Sequence, residues 1–82
     1  SYAYSALWDS FTNIEKKILR GIAEAESFAK PFSAEFIRNY NIGSPSSAQR
    51  AVERLILRDI AEKDAQGIII TDRFFKLWIK RL

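Results

Sequence analysis

The chain has 82 residues, 48% hydrophobic and 13% aromatic, with a net charge of +3. That is enough for one domain with its own core, although a chain this short buries only roughly 60–65% of its unfolded surface. It contains no cysteine and no histidine, which excludes a disulfide framework, a thiolate metal site and the commonest general base, and leaves any catalysis to carboxylates, lysines or hydroxyls.

The opening "SYAYSALWDSF" is aromatic-rich, with Tyr4, Leu7, Trp8 and Phe11 at helical spacing. Residues 1–11 read as an aromatic segment, a short helix or the end of one that starts upstream, ahead of a domain over 12–82. The chain opens on Ser1 and has no methionine, which reads as a piece of a longer polypeptide. Thr12 then starts a capping box with Glu15, in which each side chain satisfies the other residue's backbone donor. Ile14, Ile18, Leu19 and Ile22 follow at helical intervals and predict a long helix to about Ala25.

Past Pro31, Ser33 caps a shorter helix, "SAEFIRNY", with Phe32 and Ile37 spaced as a hydrophobic staple. Asn41-Ile42-Gly43 is a turn, because Asn and Gly tolerate positive φ. In "SPSSAQRAVERLILRD", Ser44 is the cap, Pro45 sits at the favoured first position, and Ala48, Ala51, Val52, Leu55 and Ile56 define one face. Two helices joined by a tight Gly-containing turn make a helix-turn-helix. "IAEKD" and "GIIIT" flank Ala65-Gln66-Gly67 as a small hairpin, and Thr71-Asp72 caps a last helix, "RFFKLWIKRL". The expected fold is α+β and mainly helical: a winged helix of three helices, a β-hairpin wing and a C-terminal helix.

Two stretches carry a resemblance. "PFSAEFIRNYNIGSPSSAQRAVERLILRDI" followed by "IIITDRFFKLWIKRL" resembles the C-terminal winged-helix domain of prokaryotic, archaeal-type AAA-like P-loop ATPases. The matching positions are Ser44, Ser46 and Ser47 opening the third helix, Arg50 and Ala51 within it, and the run Asp72, Phe74, Phe75 and Trp78. Arg73 stands where that family has proline, and Asp59 where a glycine often precedes the hairpin. The resemblance implies a parent ATPase whose nucleotide-binding module lies upstream. With Gly21, Gly43 and Gly67 its only glycines, the chain has no phosphate loop of the G-x-x-x-x-G-K-[ST] kind. ATP and Mg therefore belong to that upstream module, and no cofactor is expected here.

The candidate DNA-contacting residues are those of the third helix and the wing: Ser46, Ser47, Gln49, Arg50, Arg54, Arg58 and Lys63. The three arginines follow one another at i, i+4 and form a basic row able to reach guanine edges or phosphates. The bland alternative is a solvated face whose arginines pair with Glu53 or Glu62. Two features favour the solvated face over DNA contact: Asp64 sits beside Lys63 at the wing tip, and the net charge is modest for a nucleic-acid binder. Helical angles turn Leu57 outward among the arginines, which suits protein contact better than a phosphate backbone.

No catalytic, metal or cofactor-binding site is expected. Glu24 and Glu26 face different ways on a helix, Glu62 and Asp64 lack a third ligand, and Ser46 and Ser47 lack a base. The aromatics exceed what one small core requires. Tyr2, Tyr4, Trp8 and Phe11 are expected to pack against Phe74, Phe75 and Trp78. Any apolar surface left over among Tyr4, Trp8, Phe11, Leu57, Phe74, Phe75, Trp78 and Leu82 is the candidate interface.

No apolar run approaches the roughly 18 residues of a membrane span, and no leader pattern is present. The chain is thus expected to be cytoplasmic, with no membrane partner. The function expected is a non-catalytic accessory module that contacts its upstream nucleotide-binding module, a protein partner or a second copy. The alternative is a DNA-binding winged helix, or a free-standing transcription regulator should the gene begin near Ser1.

Overall fold

The computed structural model describes residues 2–82, and of Tyr2 the backbone alone. Its elements are α1 (Tyr2–Asp9), α2 (Asn13–Glu24), α3 (Ala34–Asn39), α4 (Pro45–Leu57), β1 (Ala61–Lys63), β2 (Ile68–Ile70) and α5 (Arg73–Lys80). The order matches the winged-helix expectation, and α1 adds a helix in front of it. The expectation that Tyr2 joins the aromatic cluster concerns a side chain outside the described residues.

α2 is the central element, with α4 and α5 packed on it. Both halves of its capping box form: the Thr12 N–H donates to Glu15 Oε1 at 2.8 Å, and the Glu15 N–H to Thr12 Oγ1 at 3.2 Å. Ile18, Leu19, Ile22 and Ala23 are buried beneath it. Gly21 also faces inward, and a β-carbon there would lie 2.3 Å from the Phe36 ring. Glycine is what lets α3 close on α2.

The turn between α3 and α4 is built from residues that accept left-handed backbone. Asn41 has φ 56° and Gly43 φ 101°, and the Ile42 N–H reaches back to the Ile37 carbonyl at 3.0 Å. This is the Schellman ending, in which the second residue beyond the cap satisfies an orphan helix carbonyl. Ser44 then caps α4, its hydroxyl accepting from the Ser47 N–H at 3.2 Å. Ala48, Ala51, Val52 and Leu55 enter the core.

α4 ends in the same way. Asp59, which occupies the position where the resemblance leads one to expect glycine, has φ 58°. The Ile60 N–H bonds the Leu55 carbonyl at 2.9 Å and the Asp59 N–H bonds Ile56 at 3.0 Å. Asp is among the few side chains that visit this region, so the turn survives without glycine.

β1 and β2 pair antiparallel with Ala61 opposite Ile70, Glu62 opposite Ile69 and Lys63 opposite Ile68. The sheet gains a third member that sequence reading misses. Ala29 and Ile68 exchange two backbone hydrogen bonds of 2.9 Å each, anchoring the wing to the α2–α3 connection. A β-carbon on Gly67 would lie 2.4 Å from the Ala29 carbonyl oxygen, so this docking also requires glycine. A one-residue bridge leaves no alternating pattern to read.

α5 is capped by Asp72, whose Oδ1 accepts from the N–H groups of Phe74 and Phe75. Phe75 and Ile79 enter the core, and Lys76 Nζ donates to the Ala25 carbonyl at 2.9 Å. α1 packs here through aromatics: Tyr4 meets Phe75 and Trp78 at ring-centre distances of 5.2 and 6.2 Å, and Trp8 meets Trp78 at 6.2 Å. The Tyr4 hydroxyl donates to Asp72 Oδ2 at 2.7 Å, so one carboxylate caps α5 and holds α1.

Candidate functional site

The outer face of α4 carries the residues that sequence reading nominates, and the structure divides them. Ser46, Gln49, Arg50, Glu53, Arg54, Leu57 and Arg58 are exposed, while Ser47 is half-buried. The arginines do not form one free row, because α4 turns its C-terminal half toward the start of α2 and the end of α1. Arg54 Nε donates to Glu15 Oε2 at 2.9 Å. Arg58 Nη2 donates to Ser10 Oγ at 2.9 Å, and its guanidinium lies 4.7 Å from the centre of the Phe11 ring. Arg50 makes only a long 3.5 Å contact to Ser47 Oγ.

The partners expected for these arginines are therefore corrected. Neither Glu53 nor Glu62 holds them: the one ion pair among the described residues is Arg54–Glu15. Glu15 is the sole buried charged residue of that set, at 4% exposure. Burial pushes its carboxyl up, but the Thr12 N–H and the Arg54 guanidinium outweigh burial and hold it below the ordinary value. Glu15 stays ionised and keeps Arg54 occupied. Its capping role was legible from spacing, whereas its pairing with Arg54, 39 positions away, left no local trace.

Leu57 lies where helical angles place it, outward and 84% exposed. At the wing tip, Asp64 turns back on the hairpin, its Oδ1 accepting from the N–H groups of Gln66 and Gly67. Lys63 is exposed and stands across from α4, on a shallow groove of about 180 Å³ shared with Phe32, Gln49, Val52, Glu53 and Ile56. That groove has an apolar floor and one charge of each sign on its rim. The local sequence of Phe32 points to a staple with Ile37 and not to the wing.

The aromatic interface candidates also divide. Trp8, Phe11 and Phe75 are buried, which withdraws them as surface for any partner. Lys16 and Arg20 lie over the Trp8 ring, at 5.8 and 5.2 Å from its centre, and close it off further. Tyr4 and Trp78 are half-buried. Phe74 at 68%, Leu82 at 54% and the un-nominated Leu77 at 46% are exposed. No group of three or more histidine, cysteine or acidic side chains suited to a metal ion occurs among the described residues, and no helix among them is long and apolar enough to cross a membrane.

Comparison with known proteins agrees with the architecture. A family model described as "Probable winged helix domain" matches residues 2–81. No curated protein and no solved structure matches the chain.

Proposed function

The chain belongs to this winged helix domain family, and from that premise we propose that it is a non-catalytic module that makes protein contacts through the outer face of α4. The observation that carries this reading is Leu57. A helix that lies in the major groove presents donors and acceptors to bases and phosphates, but α4 presents a nearly fully exposed leucine with Glu53 one turn before it. Arg54, on the same helix, and Arg58, its C-cap, are bound to the domain's own residues.

The reading extends to the parent molecule. The run Asp72, Phe74, Phe75, Trp78 and the serine-rich start of α4 support a cytoplasmic P-loop ATPase parent, with nucleotide and Mg held by an upstream module. A G-x-x-x-x-G-K-[ST] motif in the gene upstream of Ser1 is the expected finding, and its absence would end that part of the proposal.

DNA binding is the second reading, favoured by one observation. Ser46, Gln49 and Arg50 are exposed near the N-terminal end of α4, the end from which a recognition helix contacts bases. A salt-dependent shift assay separates the two. We expect weak retardation that disappears by physiological salt and is unchanged in Arg50→Ala. Tight duplex binding that is lost in Arg50→Ala would overturn the protein-contact reading. Arg50 is the clean reporter, since Arg54→Ala also disturbs Glu15.

A further inference from the structure

The exposed face of α5 is a different surface, for α4 and α5 pack separately on α2. It has an unusual charge pattern. Phe74 and Leu77 are three residues apart, on consecutive turns of one face, and both are exposed. Arg73, Lys80 and Arg81 surround them, all exposed and none in an ion pair among the described residues. The acid at the helix start, Asp72, is committed to the α5 cap and to Tyr4. Glu24, across a shallow depression from Lys80, accepts from the Tyr40 hydroxyl. The face is apolar at its centre and cationic at both ends.

We propose that this α5 face docks an acidic amphipathic helix of a partner protein. Phe74 and Leu77 would meet apolar side chains one turn apart, and Arg73, Lys80 and Arg81 would meet the flanking carboxylates. Charge complementarity selects this occupant. A second copy is a poorer fit, because two α5 faces would set Arg73, Lys80 and Arg81 of one copy against those of the other, and the exposed row of α4, with Glu53 beside Arg50, carries no net negative charge. A membrane surface is a poorer fit as well. Interfacial helices sink a whole apolar face among the lipid headgroups, and the apolar side of α5 that carries Phe75 and Ile79 is already committed to the core. The face needs no contribution from α4, so it stands whether or not α4 contacts protein.

The test is an NMR titration of the isotopically labelled 82-residue chain with a designed peptide. The peptide is about 18 residues long, beyond the length at which isolated helices are marginal. It carries leucines on one face and glutamates beside them, and its lysine counterpart is the control. Saturable binding of the acidic peptide is expected, with shifts centred on Arg73, Phe74, Leu77 and Arg81, weakening as salt rises. Phe74→Ser should weaken it roughly tenfold, as loss of a central aromatic anchor does, and so should Arg73→Glu combined with Arg81→Glu. Melting curves of these exposed-site variants should match the parent's, and Leu77→Ser provides an independent variant.

Four outcomes would overturn the proposal: no saturable binding, equal binding of the lysine peptide, affinity unchanged in the variants, or shifts centred on Leu57. Phe74-dependent binding to phosphatidylserine-containing vesicles without peptide binding would assign the face to membrane instead. Phe74-dependent self-association in sedimentation velocity would assign it to a second copy.

Discussion

Arg54 Nε lies 2.9 Å from Glu15 Oε2, and this contact ties the outer helix of the helix-turn-helix to the first turn of the central helix. The carboxylate it uses is the one that completes the capping box with Thr12. Helix initiation and helix–helix docking are thus joined in one buried side chain. A guanidinium held in this way is withdrawn from any external ligand.

Glu15→Ala should cost more stability than Arg54→Ala. The first removes both a cap bond and the ion-pair partner, a loss of about 1–3 kcal/mol. The second removes a side chain that is 48% exposed, and a half-solvated ion pair contributes less. Urea unfolding of the two variants checks this, and equal losses would contradict the dual role given to Glu15.

Acid should weaken the fold in a defined direction. Glu15 and Asp72 both have folded values below their ordinary 4.5 and 3.8. For Asp72 the Tyr4 hydroxyl is the main cause; for Glu15 hydrogen bonds and charge overcome burial. The unfolded chain then binds more protons than the folded one across that range, so stability rises with pH there. Their contribution is present above the ordinary values and is lost as pH falls through the lowered ones. Unfolding midpoints of the parent should drop in that window, and those of Glu15→Gln should drop less.

Gly21→Ala should destabilise, contrary to helix propensity, which favours alanine by about 1 kcal/mol. The added methyl would collide with Phe36 and lie 2.9 Å from the Tyr40 ring, and overpacking of this kind costs about 1–3 kcal/mol. Thermal denaturation decides the sign.

Asp59→Gly should stabilise by about 0.5–1 kcal/mol, since glycine adopts left-handed backbone without penalty. Asp59→Val should destabilise by about 1–2 kcal/mol, because a β-branched residue at φ 58° is strained. Denaturant midpoints in the opposite order would refute the assignment of Asp59 as the helix-ending residue.

The neighbours Phe74 and Phe75 should behave oppositely. Phe75, at 1% exposure beneath Tyr4 and Trp78, should cost about 3–5 kcal/mol as Phe75→Ala. On a domain whose whole stability is about 5–15 kcal/mol, that approaches unfolding. Phe74→Ala should stay within about 0.5 kcal/mol of the parent. Circular dichroism melts of the pair suffice.

Much of the architecture was legible because it is written in short-range chemistry. Thr12 and Glu15, Ser44 and Pro45, Asn41 and Gly43, and Asp72 announce element ends through hydrogen bonds within about four residues. The apolar periodicities of α2 and α4 name their buried faces, and helical angles turn Leu57 outward. The candidate site was only half legible. That Arg50, Arg54 and Arg58 share a flank of one helix follows from spacing, but their partners do not.

The capped starts of α2, α3, α4 and α5, the hairpin and the winged-helix order follow from the sequence alone, because caps, turns and periodic apolar faces act through neighbours along the chain; the bounds of α1 and the end of α5 at Lys80 do not. Only the tertiary structure decided which aromatics are core and which are surface, and that Arg54 belongs to Glu15 and Arg58 to Ser10 and Phe11. It also decided that Ala29 joins the wing and that Gly21 is a contact point between helices. Those outcomes depend on packing between segments tens of residues apart, and burial and ion pairing are properties of that packing. The "RFFKLWIK" helix shows the division within a single turn: sequence makes it apolar nearly all round, and the fold alone puts Phe75 inside and leaves Phe74 out.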